Sequence, residues 1–130
     1  MSSPGNEQIW VGTSELLAEG SYLRMDVVYA GDPISVIVFR YKGKCLAYRN
    51  LCVHMPRELD CEKNTIFDAT GRHLRCSMHG IVYDPMTGES ISSICTGERL
   101  TRIEILEDAE GIWIKDRRVQ PAGLTEYHAK

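Results

Sequence analysis

Hydrophobic and polar positions alternate with a period of two along much of the chain. Leu23, Met25 and Val27 are separated by Arg24 and Asp26, the pattern of a strand with one buried face. Ile34 to Tyr41 is dense in β-branched and aromatic residues, Lys42-Gly43-Lys44 is a turn, and Cys45 to Arg49 returns. This segment predicts a hairpin whose two strands are both largely buried. A second hairpin is predicted near the end, where Ile103 and Ile105 alternate with Arg102 and Glu104, Asp108 to Gly111 turns, and Ile112 to Lys115 returns. Short strands are expected at His73 to Arg75 and Ile81 to Asp84. The single helical turn expected is Glu15 to Ala18, opened by Thr13 or Ser14 and closed by Gly20. Trp10 and Trp113 are expected in the core. The fold class is all-β, with Ser2 to Gln8 and about the last ten residues expected to be poorly ordered.

Composition narrows the class. A chain of 130 residues makes one domain, and its 43% of hydrophobic residues is enough to line one core. Apolar runs stop at about five residues, well short of the ~20 needed to span a bilayer, so no membrane span is expected. Met1 to Glu7 has neither a basic start nor an apolar segment, so no secretory signal is expected. With 15 Lys+Arg against 18 Asp+Glu, a formal charge of −3 and no basic block, there is no electrostatic basis for binding nucleic acid. An odd count of five Cys without a secretion signal points to a reducing, cytoplasmic setting and against a full disulfide framework.

The cysteines carry the chemistry. They are Cys45, Cys52, Cys61, Cys76 and Cys95, and no two form a CxxC pair. Two have a histidine close behind, in Cys52-Val53-His54 and Cys76-Ser77-Met78-His79; His73 and His128 lie elsewhere. From composition, the chance of finding both spacings together is on the order of 0.02, so the two pairs point to metal ligation. Both fall in predicted loops, each offering one thiolate and one imidazole. Zinc accepts a Cys₂His₂ set, but zinc fingers present two Cys from one knuckle and two His from a helix. In a Rieske [2Fe-2S] centre one iron is held by two Cys and the other by two His, and loops that each donate Cys then His build that division.

The run Cys52-Val53-His54, 21 intervening residues, Cys76-Ser77-Met78-His79-Gly80 and then Tyr83-Asp84 resembles the Rieske iron–sulfur family. The likeness extends to Trp10-Val11-Gly12 with Leu16 to Gly20, to Pro85-Met86-Thr87-Gly88-Glu89, and to Cys95-Thr96-Gly97-Glu98-Arg99-Leu100 before the last hairpin, covering residues 9 to 116. It implies an antiparallel, β-sandwich-like domain with a small cluster-binding subdomain inserted at Asn50 to Pro85, all within one domain over residues 1–130. It also implies one [2Fe-2S] cluster per chain, with Cys52 and Cys76 on one iron and His54 and His79 on the outer one. Tyr83 is the candidate hydroxyl donor to a ligand sulfur. Cys95 sits where the family covers the cluster with a loop and is a candidate neighbour of it.

Departures from the family pattern shape the expectation further. Pro56 stands where Gly is frequent after the first His, Ser77 where Pro is frequent after the second Cys, and the loop between the motifs is longer than usual. Arg57 and Met78 occupy the positions of the extra disulfide cysteines of respiratory Rieske proteins, and Ile81 replaces their serine donor. The resemblance therefore implies a low-potential cluster, as in ferredoxins that serve oxygenases. There is no room for a second domain with the mononuclear iron of an oxygenase and no GxGxxG fingerprint, so the expected role is electron transfer, not catalysis. A reductase would supply the electron and an oxygenase or other oxidoreductase would accept it. The alternatives are a redox-sensing module or small subunit of a larger oxidoreductase and, further off, a structural zinc module. Cys45 reads as a small core hydrophobe and Cys61 as a thiol without a role. Met55 and Met78 read as loop-tip residues that shield the cluster or dock a partner, and Arg57 and Arg99 as solvated surface charges.

Overall fold

The computed structural model describes residues 8–53, 57–61, 65–76, 80–92 and 97–122. Among the described residues, nine strands and one 3-10 turn follow in chain order. They are β1 (Ile9–Gly12), the turn Ser14–Leu16, β2 (Tyr22–Tyr29), β3 (Asp32–Tyr41), β4 (Lys44–Arg49), β5 (Leu74–Arg75), β6 (Val82–Tyr83), β7 (Ile105–Asp108), β8 (Gly111–Ile114) and β9 (Val119–Pro121). They form a four-stranded sheet in the order β4-β3-β2-β9, a three-stranded sheet β1-β8-β7 and a two-stranded ladder β5-β6, with every ladder antiparallel.

Period-two alternation makes β3 and β4 a shared wall between two cores. On one face Ile37 pairs with Tyr48 and Phe39 with Leu46, and these four join Cys52, Leu59, Ile66, Leu74, Cys76, Ile81, Tyr83 and Leu100. On the other, Val36, Val38 and Ala47 pack with Ile9, Leu17, Val27, Ile103, Ile112, Ile114 and Val119. A strand buried on both faces reads as a continuous apolar run, which is what Val36 to Phe39 shows. Among the described residues, segment 50–85 therefore has no private core. Its apolar residues close on the central sheet.

The central hairpin turns where its sequence predicts, at Lys42-Gly43, both with positive φ (51° and 81°). The Glu19 carboxylate accepts hydrogen bonds from both of these backbone N–H groups, at 2.6 and 2.9 Å. These bonds hold its carboxyl below the usual range. The helical turn is shorter than expected, spanning Ser14–Leu16, and Thr13 makes no side-chain cap. Two short strands escape the alternation pattern: β1, and β9, which extends the central sheet at the edge of β2. Trp10 and Trp113 are not core residues. They are register partners, and because Ile9, Ile112 and Ile114 face inward they face out, meeting edge-on at 4.8 Å with Trp10 43% exposed.

A buried carboxylate ties the ends of the two larger sheets together. Asp116 has a side chain 2% exposed and accepts from the backbone N–H of Glu104 (3.0 Å) and of Arg118 (2.9 Å) and from the Arg118 guanidinium (2.6 and 2.9 Å). Arg118 also donates to the Arg102 carbonyl and the Tyr29 hydroxyl and lies 5.1 Å over the Tyr29 ring. Burial alone would raise the Asp116 carboxyl, but the Arg118 and backbone donors outweigh it and hold it at about 2. Because the folded value is depressed, the stabilisation is complete above the ordinary aspartate range and is lost as pH falls through about 2. Asp116→Ala is expected to cost about 2 kcal/mol in urea unfolding at pH 7. The gap to wild type should narrow as pH is lowered from about 4 towards 2.

Candidate metal centre

Cys52 follows the end of β4 and Cys76 follows β5 directly, so both sit where a strand gives way to a loop. Each loop is closed at its base by the same backbone bond: the N–H of Cys52 donates to the carbonyl of Arg57 (2.8 Å), and that of Cys76 to the carbonyl of Ile81 (2.9 Å). The N–H of Gly80 also donates to the Cys76 carbonyl (2.8 Å). Both cysteines are buried, 3% and 0% exposed, and share one core with Tyr83. Among the described residues no two cysteines are joined in a disulfide.

Tyr83 links the two loops. Its hydroxyl, carried up from β6, donates to the Cys52 sulfur at 3.2 Å and accepts from the backbone N–H of Val53 at 3.1 Å. Burial first, then the bond to Cys52 and the proximity of both the Cys52 and Cys76 sulfurs, push the phenol well above its ordinary range, with the Val53 bond opposing. The hydroxyl is thus a fixed donor aimed at the Cys52 sulfur.

The first loop is pinned to the central sheet by polar groups that the sequence analysis did not single out. Asp60, with a side chain 4% exposed, accepts from Tyr22 Oη (2.8 Å), Arg24 Nη1 (3.0 Å) and Asn50 Nδ2 (3.1 Å). Arg24 also forks onto Glu58 at 3.0 Å to both oxygens. Asn50 is itself buried, its side-chain oxygen accepts from Leu59 N–H (2.8 Å), and its backbone N–H donates to the Ser35 carbonyl. Burial pushes the Asp60 carboxyl up, but the Asn50 and Tyr22 bonds and the Arg24 charge outweigh it and hold it below the usual range. In the sequence these residues look like an acidic loop and a turn-forming Asn. Only the facing strand β2 reveals their partners.

The turn after β6 rests on aromatic residues of the central sheet. Tyr48 stacks on Phe39, donates to the Pro85 carbonyl (2.9 Å), and has its phenol raised to about 12 by burial. Gly88, at φ 78°, packs so closely on this ring that a Cβ would lie 2.7 Å from it, so glycine is required twice over.

His54 and His79 lie outside the described residues, as do Cys95, Met55 and Met78. Among the described residues no three His, Cys, Asp or Glu side chains converge as a metal site. Cys45 is only partly buried, on the opposite face of β4, its thiol raised to about 11 by burial and the nearby Glu107 carboxylate. Cys61, Arg57 and Arg99 are exposed. The described half of the donor set suits an iron–sulfur cluster. It provides two thiols in one apolar core, at the bases of two similarly closed loops, with a hydroxyl donor to sulfur.

Comparisons with known proteins define the class. A family model for the Rieske [2Fe-2S] domain matches residues 7–106, and the chain belongs to that family. Among curated proteins no sequence matches. Among solved structures, the chain is similar to the ferredoxin of carbazole 1,9a-dioxygenase from Nocardioides aromaticivorans IC177. That match has 25% identity over 84% of this chain and 97% of that one, with a TM-score of 0.65. It is also similar to a chain in the complex of reduced oxygenase and oxidized ferredoxin in carbazole 1,9a-dioxygenase, at 22% identity over 85% and 94% of the two chains, TM-score 0.68. A third match, in the reduced complex between oxygenase and ferredoxin of carbazole 1,9a-dioxygenase, has 20% identity and TM-score 0.67 over 85% of this chain but only 28% of the other. The fold is the all-β Rieske fold expected from the sequence. No helix among the described residues is long and apolar enough to cross a membrane.

Asp60→Ala is expected to strand Tyr22, Arg24 and Asn50 and to cost about 3 kcal/mol in urea unfolding. Hydrogen exchange should speed up at Leu59 and Cys52 before it does at β3. Uniform loss of protection across the chain would mean that Asp60 does not act on this loop in particular.

Proposed function

We propose that the chain is a Rieske-type ferredoxin, a one-electron carrier that takes an electron from a reductase and delivers it to an oxygenase. The observation that carries this reading is the pair of buried cysteines, Cys52 and Cys76, at the bases of two similarly closed loops, with Tyr83 donating to the Cys52 sulfur. The family and the near full-length match to a ferredoxin chain support it. In this reading the 130 residues are a single domain, with its core over residues 9 to 116 and the cluster-binding segment at 50–85, working in the cytoplasm.

One [2Fe-2S] cluster would be held per chain, with Cys52 and Cys76 as the thiolate ligands and His54 and His79 as the imidazole ligands. When bound, the cluster supplies reversible one-electron exchange. The protein's own residues fix its setting. Asp60 and Asn50 hold the first loop to the sheet, Tyr48 supports the turn after β6, and Tyr83 supplies a hydrogen bond to sulfur that favours the more negative, reduced state. No residue acts as a catalyst.

Metal and sulfide analysis of the purified protein should find two irons and two sulfides per chain, and the dithionite-reduced form should give a Rieske-type rhombic EPR signal. A colourless, iron-free or zinc-loaded protein would overturn the reading, and failure to turn over with any reductase would favour a sensing or subunit role. Replacing His79 with Cys should shift the spectrum towards four-thiolate character or lose it.

Tyr83→Phe is expected to keep the cluster but lower its midpoint in a redox titration, because the O–H donor to Cys52 is lost. An unchanged midpoint would show that the bond does not tune the centre.

A further inference from the structure

We infer that Arg75 is the counter-cation of the reduced cluster, a positive charge fixed against the second ligand loop that favours the electron-loaded state. The inference rests on the cluster reading above. Arg75 immediately precedes Cys76 at the end of β5. Its guanidinium is held against Gly80, the residue after His79: a Cβ built there would lie 3.0 Å from Nη2 and 3.5 Å from Cζ and Nε. The charged head, not only the apolar stem, is therefore packed on the loop that Cys76 opens. Gly80 at φ 74° leaves room for it.

Arg75 is partly buried, and among the described residues no carboxylate pairs with it. Other arginines are accounted for differently. Arg24, Arg40, Arg99 and Arg118 have acidic partners, Arg49 lies over the Tyr29 ring, and Arg57, Arg72 and Arg117 are exposed. Partial removal of a cation from water without an anion costs free energy. A neighbouring group that becomes negative would offset that cost.

The cluster is such a group. Two ferric ions, two sulfides and two thiolates sum to zero with neutral imidazoles, and one electron from an external one-electron donor converts one ferric ion to ferrous and leaves −1. No proton need move. A positive charge at the loop attracts the −1 state and is indifferent to the neutral one, so it raises the midpoint.

The test is a redox titration of reconstituted holoprotein, followed by visible and EPR spectra, on wild type, Arg75→Gln, Arg75→Met, Arg75→Lys and the exposed control Arg117→Gln. Both neutral variants are expected to lose about tenfold in the reduction equilibrium constant, which for a one-electron couple is about 59 mV. Arg75→Lys should recover most of the loss, and Arg117→Gln, which removes the same formal charge from the turn between β8 and β9, should match wild type. A wild-type midpoint in either neutral variant that retains the Rieske spectrum overturns the inference and leaves the carrier reading standing. A wild-type protein without iron overturns the carrier reading itself.

Discussion

The structure depends on β3 being buried on both faces. Val36 to Phe39 are all inaccessible, and alternate residues are committed to different cores. A shift of one residue in the β3–β4 register would send Ile37 and Phe39 into the space that now holds Val36 and Val38 and would break both cores together. This fixes where the cysteines can lie. Cys52 and Cys76 belong to the core that Ile37, Phe39, Leu46 and Tyr48 floor, so the candidate centre is built against a strand pair that is buried on both faces.

The two loops are secured to that floor by different physics. The first is held by a polar hub, in which a nearly inaccessible carboxylate on Asp60 gathers Tyr22, Arg24 and Asn50. Each partner alone would be a weak anchor. Together they satisfy a buried charge, and removing any one leaves the others under-satisfied. The second is closed by backbone bonds at Cys76, Gly80 and Ile81, while the turn after β6 rests on the Tyr48 ring at Gly88 and Pro85, and Tyr83 on β6 reaches across to the first loop. Tyr83 is thus the point where the loops' positions become mutually dependent.

Much of this was legible from the sequence. β2 follows from strict alternation, the central hairpin from its run of β-branched and aromatic residues around Lys42-Gly43-Lys44, and the Cys-His spacing singled out the candidate metal centre. Other features were hidden for definable reasons. Strands β1 and β9 have only four and three residues, too few for a period to register, and their pairing comes from distant partners on β8 and β2. Trp10 and Trp113 are apolar by type, but the pleat puts Ile9, Ile112 and Ile114 inside, so the tryptophans face out. Asp60 and Asn50 read as loop residues because a buried polar hub has no periodic signature. Its donors lie ten to thirty-eight positions from Asp60.

Charge explains why a site of this kind can sit in an apolar core. Two thiolates placed among Leu59, Ile66, Leu74 and Ile81 would be two uncompensated negative charges in surroundings that solvate ions poorly. In the proposed reading, a core of two ferric ions and two sulfides would carry +2, so the oxidised assembly would be neutral between the two buried sulfurs. Neutral imidazoles would add no charge. The deep positions therefore suit the thiolates, and the electron's single negative charge is what the surroundings must accommodate. In the proposed reading the Tyr83 hydroxyl, aimed at the Cys52 sulfur, and the Arg75 guanidinium, packed against Gly80, are placed to do so.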